Sequence, residues 1–310
     1  MRVPSLSPVA FRRITLVAAL ALAGIIVTGG AVRLTGSGLG CSDWPACEPG
    51  RPVAPLEFHA LVEFVNRLVT GLVSISVIVA VLGSLVRRPR RADLVWLSLG
   101  LVAGVVGQIV LGGLTVLFEL RPELVMSHFL LSMVLLADAV VLYHRAGVPD
   151  GEPTRPLTGP AVRVMGWVLV LSASVVLFTG TVVTAAGPHG GDEEVQRLSV
   201  FLPTATRVHG TSAMVLVALI LITFAAVYFD RAPGPVQRRL GILLAVVVAQ
   251  AAVGYIQYFN EIPPRVVAVH IAGATTVWAA TLWFLLGLRG ADASIEAKPR
   301  PVASPELAGV

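Results

Sequence analysis

Eight apolar runs, each long enough to cross the hydrocarbon core of a bilayer, constrain this chain more than anything else in it. They read as spans over about 12–32, 60–86, 94–117, 124–145, 161–184, 204–230, 238–258 and 265–288. A helix needs roughly 20 residues to cross, at about 1.5 Å of rise each. Lipid offers no partner to an open backbone N–H or C=O, so such segments must satisfy themselves as helices. The expected fold is therefore all-α and integral to a membrane. A mean hydropathy of +0.83 agrees and excludes an ordinary soluble domain.

Charge gives the orientation. The net charge is +5. Arg12–Arg13, RRPRR at 87–91, Arg145, Arg155, Arg163, Arg231, Arg238–Arg239, Arg289, Lys298 and Arg300 all fall on one side of the eight spans. The other side carries Arg33, Arg51, Arg67, Arg121, Arg197, Arg207 and Arg265, mixed with ten acids from Asp43 to Glu261. Positive residues mark the cytoplasmic side, so both termini are expected there, and the basic balance is a topology signal and not a nucleic-acid patch. The first run continues through IIVTGGAV, further than a cleaved signal needs, and reads as an uncleaved span.

Cys41 and Cys47, the two cysteines of the chain, then lie outside, in an oxidising compartment, within the loop RLTGSGLGCSDWPAC. A disulfide closing a lid over the mouth of the bundle is the natural reading, with two unconnected thiols as the alternative. The spacing suits neither a C-x-x-C redox motif nor a zinc site.

The chain also repeats itself. Gln108 and Gly112 in the third run match Gln250 and Gly254 in the seventh, and each Gln is followed twenty residues later by a histidine, His128 or His270. Thr28-Gly29 matches Thr179-Gly180, and Asn66 stands opposite His209. Two tandem four-helix bundles related by duplication are expected, in the same orientation. The divisions run as an N-terminal tail over 1–11, a first bundle over 12–145 with its outer loop at 33–59, and a Pro/Gly-rich linker over 146–160. A second bundle over 161–288 and a disordered tail over 289–310 complete the chain.

Of six histidines, His144 and His189 read as solvated. His128, His209 and His270 lie in the outer parts of apolar spans, where a lone polar group is expensive. Each can simply bond a neighbouring helix. His209 and His270, at similar depth on two helices of one bundle, suit the axial pair of a haem, with Arg207 and Arg265 placed for its propionates. In the other half His128, Arg67 and Arg121 keep their counterparts' places. The second helix there aligns His59, Glu63, Asn66 and Thr70 on one face. Glu63 either faces the cage or pairs with Arg67 at i,i+4. A half with one histidine and a carboxylate suits a haem that is worked upon, where its twin suits a permanent cofactor. Asp138 reads as a proton relay or as a helix–helix contact.

Five stretches carry a family resemblance: GGAVRLTGSGLGCSDWPAC, VEFVNR at 62–67, MSHF around His128, TRVHG around His209 and AVHIAG around His270. Together they make the chain similar to the haem A synthase family of bacterial and mitochondrial membranes. The resemblance implies an eight-helix protein of the cell membrane that oxidises the C8 methyl of haem O to a formyl group, by successive hydroxylations. It implies haem b on His209 and His270, and haem O on the N-terminal side, with His128 as ligand and Glu63 near the reacting group. It supports a disulfide between Cys41 and Cys47. Haem O synthase and cytochrome oxidase assembly factors are the partners it suggests. Two departures stand out: many relatives have histidine where this chain has Asn66, and some carry a second cysteine pair before the sixth helix. The alternatives from other classes are a dihaem b-type electron-transfer cytochrome and a haem-handling scaffold.

Overall fold

The computed structural model describes residues 5–50 and 53–290. Eight helices follow one another: α1 Pro8–Leu34, α2 Phe58–Val86, α3 Ala92–Leu117, α4 Pro122–Ala146, α5 Pro160–Ala186, α6 Leu202–Phe229, α7 Gly234–Phe259 and α8 Pro264–Leu286. All eight are long and apolar enough to cross a membrane, so the protein is an all-α integral membrane protein. Two short strands, β1 Arg155–Pro156 and β2 Arg289–Gly290, pair antiparallel beside the bundle.

Most helices begin ahead of the apolar run. Proline sits in the first turn of α1, α4, α5, α6, α7 and α8, where its missing N–H has no partner to lose and its φ is already helical. At α1 the Ser7 hydroxyl also accepts the Ala10 N–H at 3.2 Å, which moves the start back to Pro8. The ends of α3 and α7 match. Glu119 and Leu120 turn to φ 50° and 55°, and Glu261 and Ile262, 142 residues later, to φ 61° and 59°. Left-handed residues stop a helix, and the prolines that follow start the next one.

Helices α1 to α4 pack as a ring of neighbours, as do α5 to α8, and α8 lies against both α1 and α4. The seam between the rings is apolar. The buried Trp278 indole N–H donates to the Met133 carbonyl at 2.8 Å. One apolar cluster runs from Ile26, Met133 and Leu136 into Leu169, Ile220 and Phe284. Large apolar side chains elsewhere, such as Leu72, Trp96 and Trp167, face outward, as expected where the solvent is lipid.

The face carrying the chain ends is laced shut. Leu6 exchanges backbone bonds with the α2–α3 turn, through Val86 and Arg88. Arg87, buried, pairs with Asp150 at 2.8 Å, so the linker is strapped down. Arg289–Gly290 continue that strapping through β1; the expected disordered tail otherwise lies outside the described residues.

Candidate functional site

The C-terminal ring brings its two membrane histidines together. His209 on α6 and His270 on α8 have ring centroids 6.3 Å apart, with planes at 75°. Two imidazole nitrogens, each about 2 Å from one metal, put their ring centroids about 6 Å apart. The spacing therefore fits a shared axial metal. Each ring is held through Nδ1. His209 Nδ1 lies 3.2 Å from the Thr179 hydroxyl, and His270 Nδ1 lies 3.0 Å from the Gln250 amide nitrogen, which also donates to the His270 carbonyl at 2.9 Å. A ligating imidazole donates its second N–H, which the Thr179 hydroxyl can accept from His209 Nδ1 and so leave Nε2 for a metal. His270 would need the Gln250 amide turned to present Oε1, which is buried without a partner among the described residues. Glycine lets the rings lie close to the opposing backbone. A Cβ on Gly180 would come within 3.1 Å of the His209 ring, and one on Gly254 within 3.2 Å of the His270 ring.

The N-terminal ring repeats half of this. Gln108 donates to the His128 carbonyl at 3.0 Å and to the Ser132 hydroxyl at 2.8 Å. A Cβ on Gly112 would sit 3.3 Å from the His128 ring. On the other side of the cage the pattern changes. The Thr28 hydroxyl donates to Asn66 Oδ1 at 2.9 Å, where Thr179 meets a histidine in the twin. Asn66 is shorter, and a Cβ on Gly29 would meet nothing within 4 Å. His128 Nδ1 is buried without a hydrogen-bond partner among the described residues, unlike its counterpart in His270.

Glu63 lies under the outer loop. Cys41 and Cys47 form the disulfide, and the Cys41 N–H donates to Glu63 Oε2 at 2.8 Å. Glu63 Oε1 accepts from Arg67 Nη2 at 2.6 Å. The same guanidinium donates to the carbonyls of Asp43, Pro45 and Ala46 at 2.9–3.2 Å. Trp44 lays its ring over Gly113 at the end of α3. Glu63 is only 6% exposed while the Arg67 side chain is 20% exposed, so the pair is largely buried. Losing one partner of such a pair costs about 3–5 kcal/mol, because the other charge is stranded. The lid and the carboxylate therefore hold each other in place.

The other expected residues fall out as follows. Arg67 turns its donors to the lid carbonyls and Glu63. Arg121, Arg207 and Arg265 are exposed on the same face, with no protein partner among the described residues. His59 bonds Ser37 at 2.9 Å, in the foot of the lid. Asp138 lies against Gly100 of α3. His189, expected to be solvated, is half-buried in a clasp: its Nε2 bonds the Ile262 carbonyl at 2.7 Å, and its own carbonyl accepts from Arg33 at 2.6 Å. Thr28, Thr179, Gln108 and Gln250 stood out in the sequence as repeat positions; what the sequence did not show is that they hold the rings and the amide. The available signal was the equal twenty-residue spacing from Gln108 to His128 and from Gln250 to His270, and the matching Thr-Gly pairs at the ends of α1 and α5.

Comparison with known proteins points the same way. Residues 12–188 match the model of a family described as cytochrome oxidase assembly protein. A protein of Exiguobacterium sibiricum named Heme A synthase is 28% identical over 165 residues, covering 53% of this chain and 55% of that one. One of Shouchella clausii with the same name is 26% identical over 258 residues, covering 78% and 85%. One of Listeria monocytogenes, again so named, is 28% identical over 165 residues, covering 51% and 54%. The match thus spans about half the length of the first and third of these relatives, and most of the second. With more than half of its residues under that one model, the chain belongs to the cytochrome oxidase assembly protein family.

Proposed function

We propose that this protein is a haem A synthase of the bacterial cell membrane, with both termini cytoplasmic and the disulfide lid outside. Its two rings are read as products of a duplication that now do different work. The C-terminal one holds haem b, and the N-terminal one oxidises the C8 methyl of haem O to a formyl group. The observation that carries this reading is the asymmetry between the cages. Two rings at 6.3 Å, each held through Nδ1, suit a permanent cofactor. One ring, an amide and a buried carboxylate suit a substrate. The relatives' shared name supports the choice of haem O over another haem.

His209 and His270 would ligate haem b, with Arg207 and Arg265 beside its propionates. Haem b supplies electron transfer when bound. On the substrate side His128 would ligate haem O, and Arg121, with no side-chain partner among the described residues, would meet a propionate. Each of two successive oxidations would take two electrons from the methyl carbon, passed to an external electron acceptor, and add one water oxygen with loss of two protons. The products are an alcohol and then a gem-diol, which loses water to the aldehyde. Glu63, buried and fixed by Cys41 and Arg67, would place a carboxylate against positive charge developing at the methyl carbon. A preorganised charge of this kind acts strongly where water is excluded. The lid above it would keep bulk water out. Haem O synthase is the expected donor of substrate, and oxidase assembly the expected destination of product.

The test is co-expression with a haem O source, followed by haem extraction and mass analysis, for wild type and Glu63→Ala. Haem A in the wild type and its loss in Glu63→Ala, with haem b retained in both, is the expected result. Haem b without haem A under a verified haem O supply would make the protein a cytochrome.

A further inference from the structure

The side of the N-terminal cage opposite His128 differs from its twin in three linked ways. Asn66 stands where His209 does, since Thr28 engages it as Thr179 engages the histidine. A neutral amide is not among the side chains that hold haem iron, which are His, Cys, Met and Tyr. The space is also different: a Cβ at Gly180 would press on the His209 ring at 3.1 Å, while one at Gly29 would meet no atom within 4 Å. Finally, Thr28 donates to Oδ1 at 2.9 Å, which fixes the amide and leaves Nδ2 as a donor with no protein partner among the described residues.

We propose that the N-terminal cage binds its haem through His128 alone and keeps the opposite face as a binding site for a small diatomic ligand of the dioxygen class, with Asn66 Nδ2 as its hydrogen-bond donor. The proposal rests on the haem O reading above. It assigns Thr28 a positioning role, since its hydroxyl decides which end of the amide faces the cage. It also gives Asn66 a purpose that a lost ligand would not have. Donors and free space beside a singly ligated haem are what favour binding of a diatomic. The C-terminal cage, with imidazole on both sides, has no such site.

The experiment uses the full-length purified protein from a host that supplies haem O, reduced and titrated with carbon monoxide, with dioxygen dissociation followed by stopped flow. Haem b absorbance serves as the fold control. Wild type is expected to bind one carbon monoxide per protein, at haem O and not at haem b. Asn66→His is expected to convert the N-terminal haem to a low-spin form and to weaken carbon monoxide binding at least ~10-fold. Asn66→Leu is expected to keep carbon monoxide binding but to release dioxygen about 10-fold faster, the effect of one lost hydrogen bond. A wild-type haem O that is already low-spin and indifferent to carbon monoxide would overturn the proposal and leave the haem O reading standing. Equal dioxygen release from wild type and Asn66→Leu would remove Asn66 as the donor. A protein that takes up haem b but no haem O would overturn both.

Discussion

The C-terminal cage engages everything near its histidines in holding two rings; the N-terminal cage, with the same scaffold positions, holds one. Thr179, Gln250, Gly180 and Gly254 all bear on His209 or His270. Thr28, Gln108 and Gly112 are in the equivalent places, yet Thr28 meets an amide and a Cβ on Gly29 would find no neighbour within 4 Å among the described residues. The N-terminal half adds what its twin lacks, a disulfide lid clamped to a buried Glu–Arg pair. Where Arg67 ties down that lid, the matching position in α6 is Gly210. A repeated scaffold can therefore separate storage from chemistry by changing the second helix of each ring and the loop before it.

The largest effect on bound haem should come from removing a ring. His209→Ala should lower haem b retained through purification by more than about 10-fold, whereas Asn66→Ala should leave it unchanged. Bound haem per protein measures both, and equal losses would erase the difference between the cages. Next, Glu63→Gln keeps the shape and removes the charge. Haem A formation should fall about 10²–10³-fold, the scale of losing one preorganised electrostatic group, with the haem b spectrum unaltered. Arg67→Leu strands Glu63 and frees the lid. A loss of about 3 kcal/mol is expected, read as a lower Tm and faster proteolysis within 41–47. The smallest effect sharpens the comparison further. Gln250→Leu should weaken haem b retention about 10-fold and move its midpoint potential, while Gln108→Leu leaves both as they are.

Much of this was legible in the sequence because it depends on local or periodic signals. The eight runs announce eight helices, with bounds misjudged by at most four residues, most at the first turns of α1 and α7. There Pro8 and the Ser7 cap extend α1 past the apolar boundary, since capping is a matter of a few polar atoms that hydropathy does not register. The histidines, Asn66 and the glutamines were visible as a repeat. What was not legible is how long side chains are deployed. Arg67 could be paired with Glu63 from i,i+4 spacing, but its capture of the Asp43, Pro45 and Ala46 carbonyls depends on how the lid folds back. His189 was misread for the same reason, because its partners Arg33 and Ile262 lie far away in sequence.

The central claim is that one cage stores and the other works. It is tested most directly by haem extraction and mass analysis of purified His128→Ala beside His270→Ala, from a host that makes haem O. The account predicts haem b without haem O or haem A in His128→Ala, and loss of haem b with haem O still bound in His270→Ala. Loss of the same haem from both variants, or the reverse pattern, would contradict it.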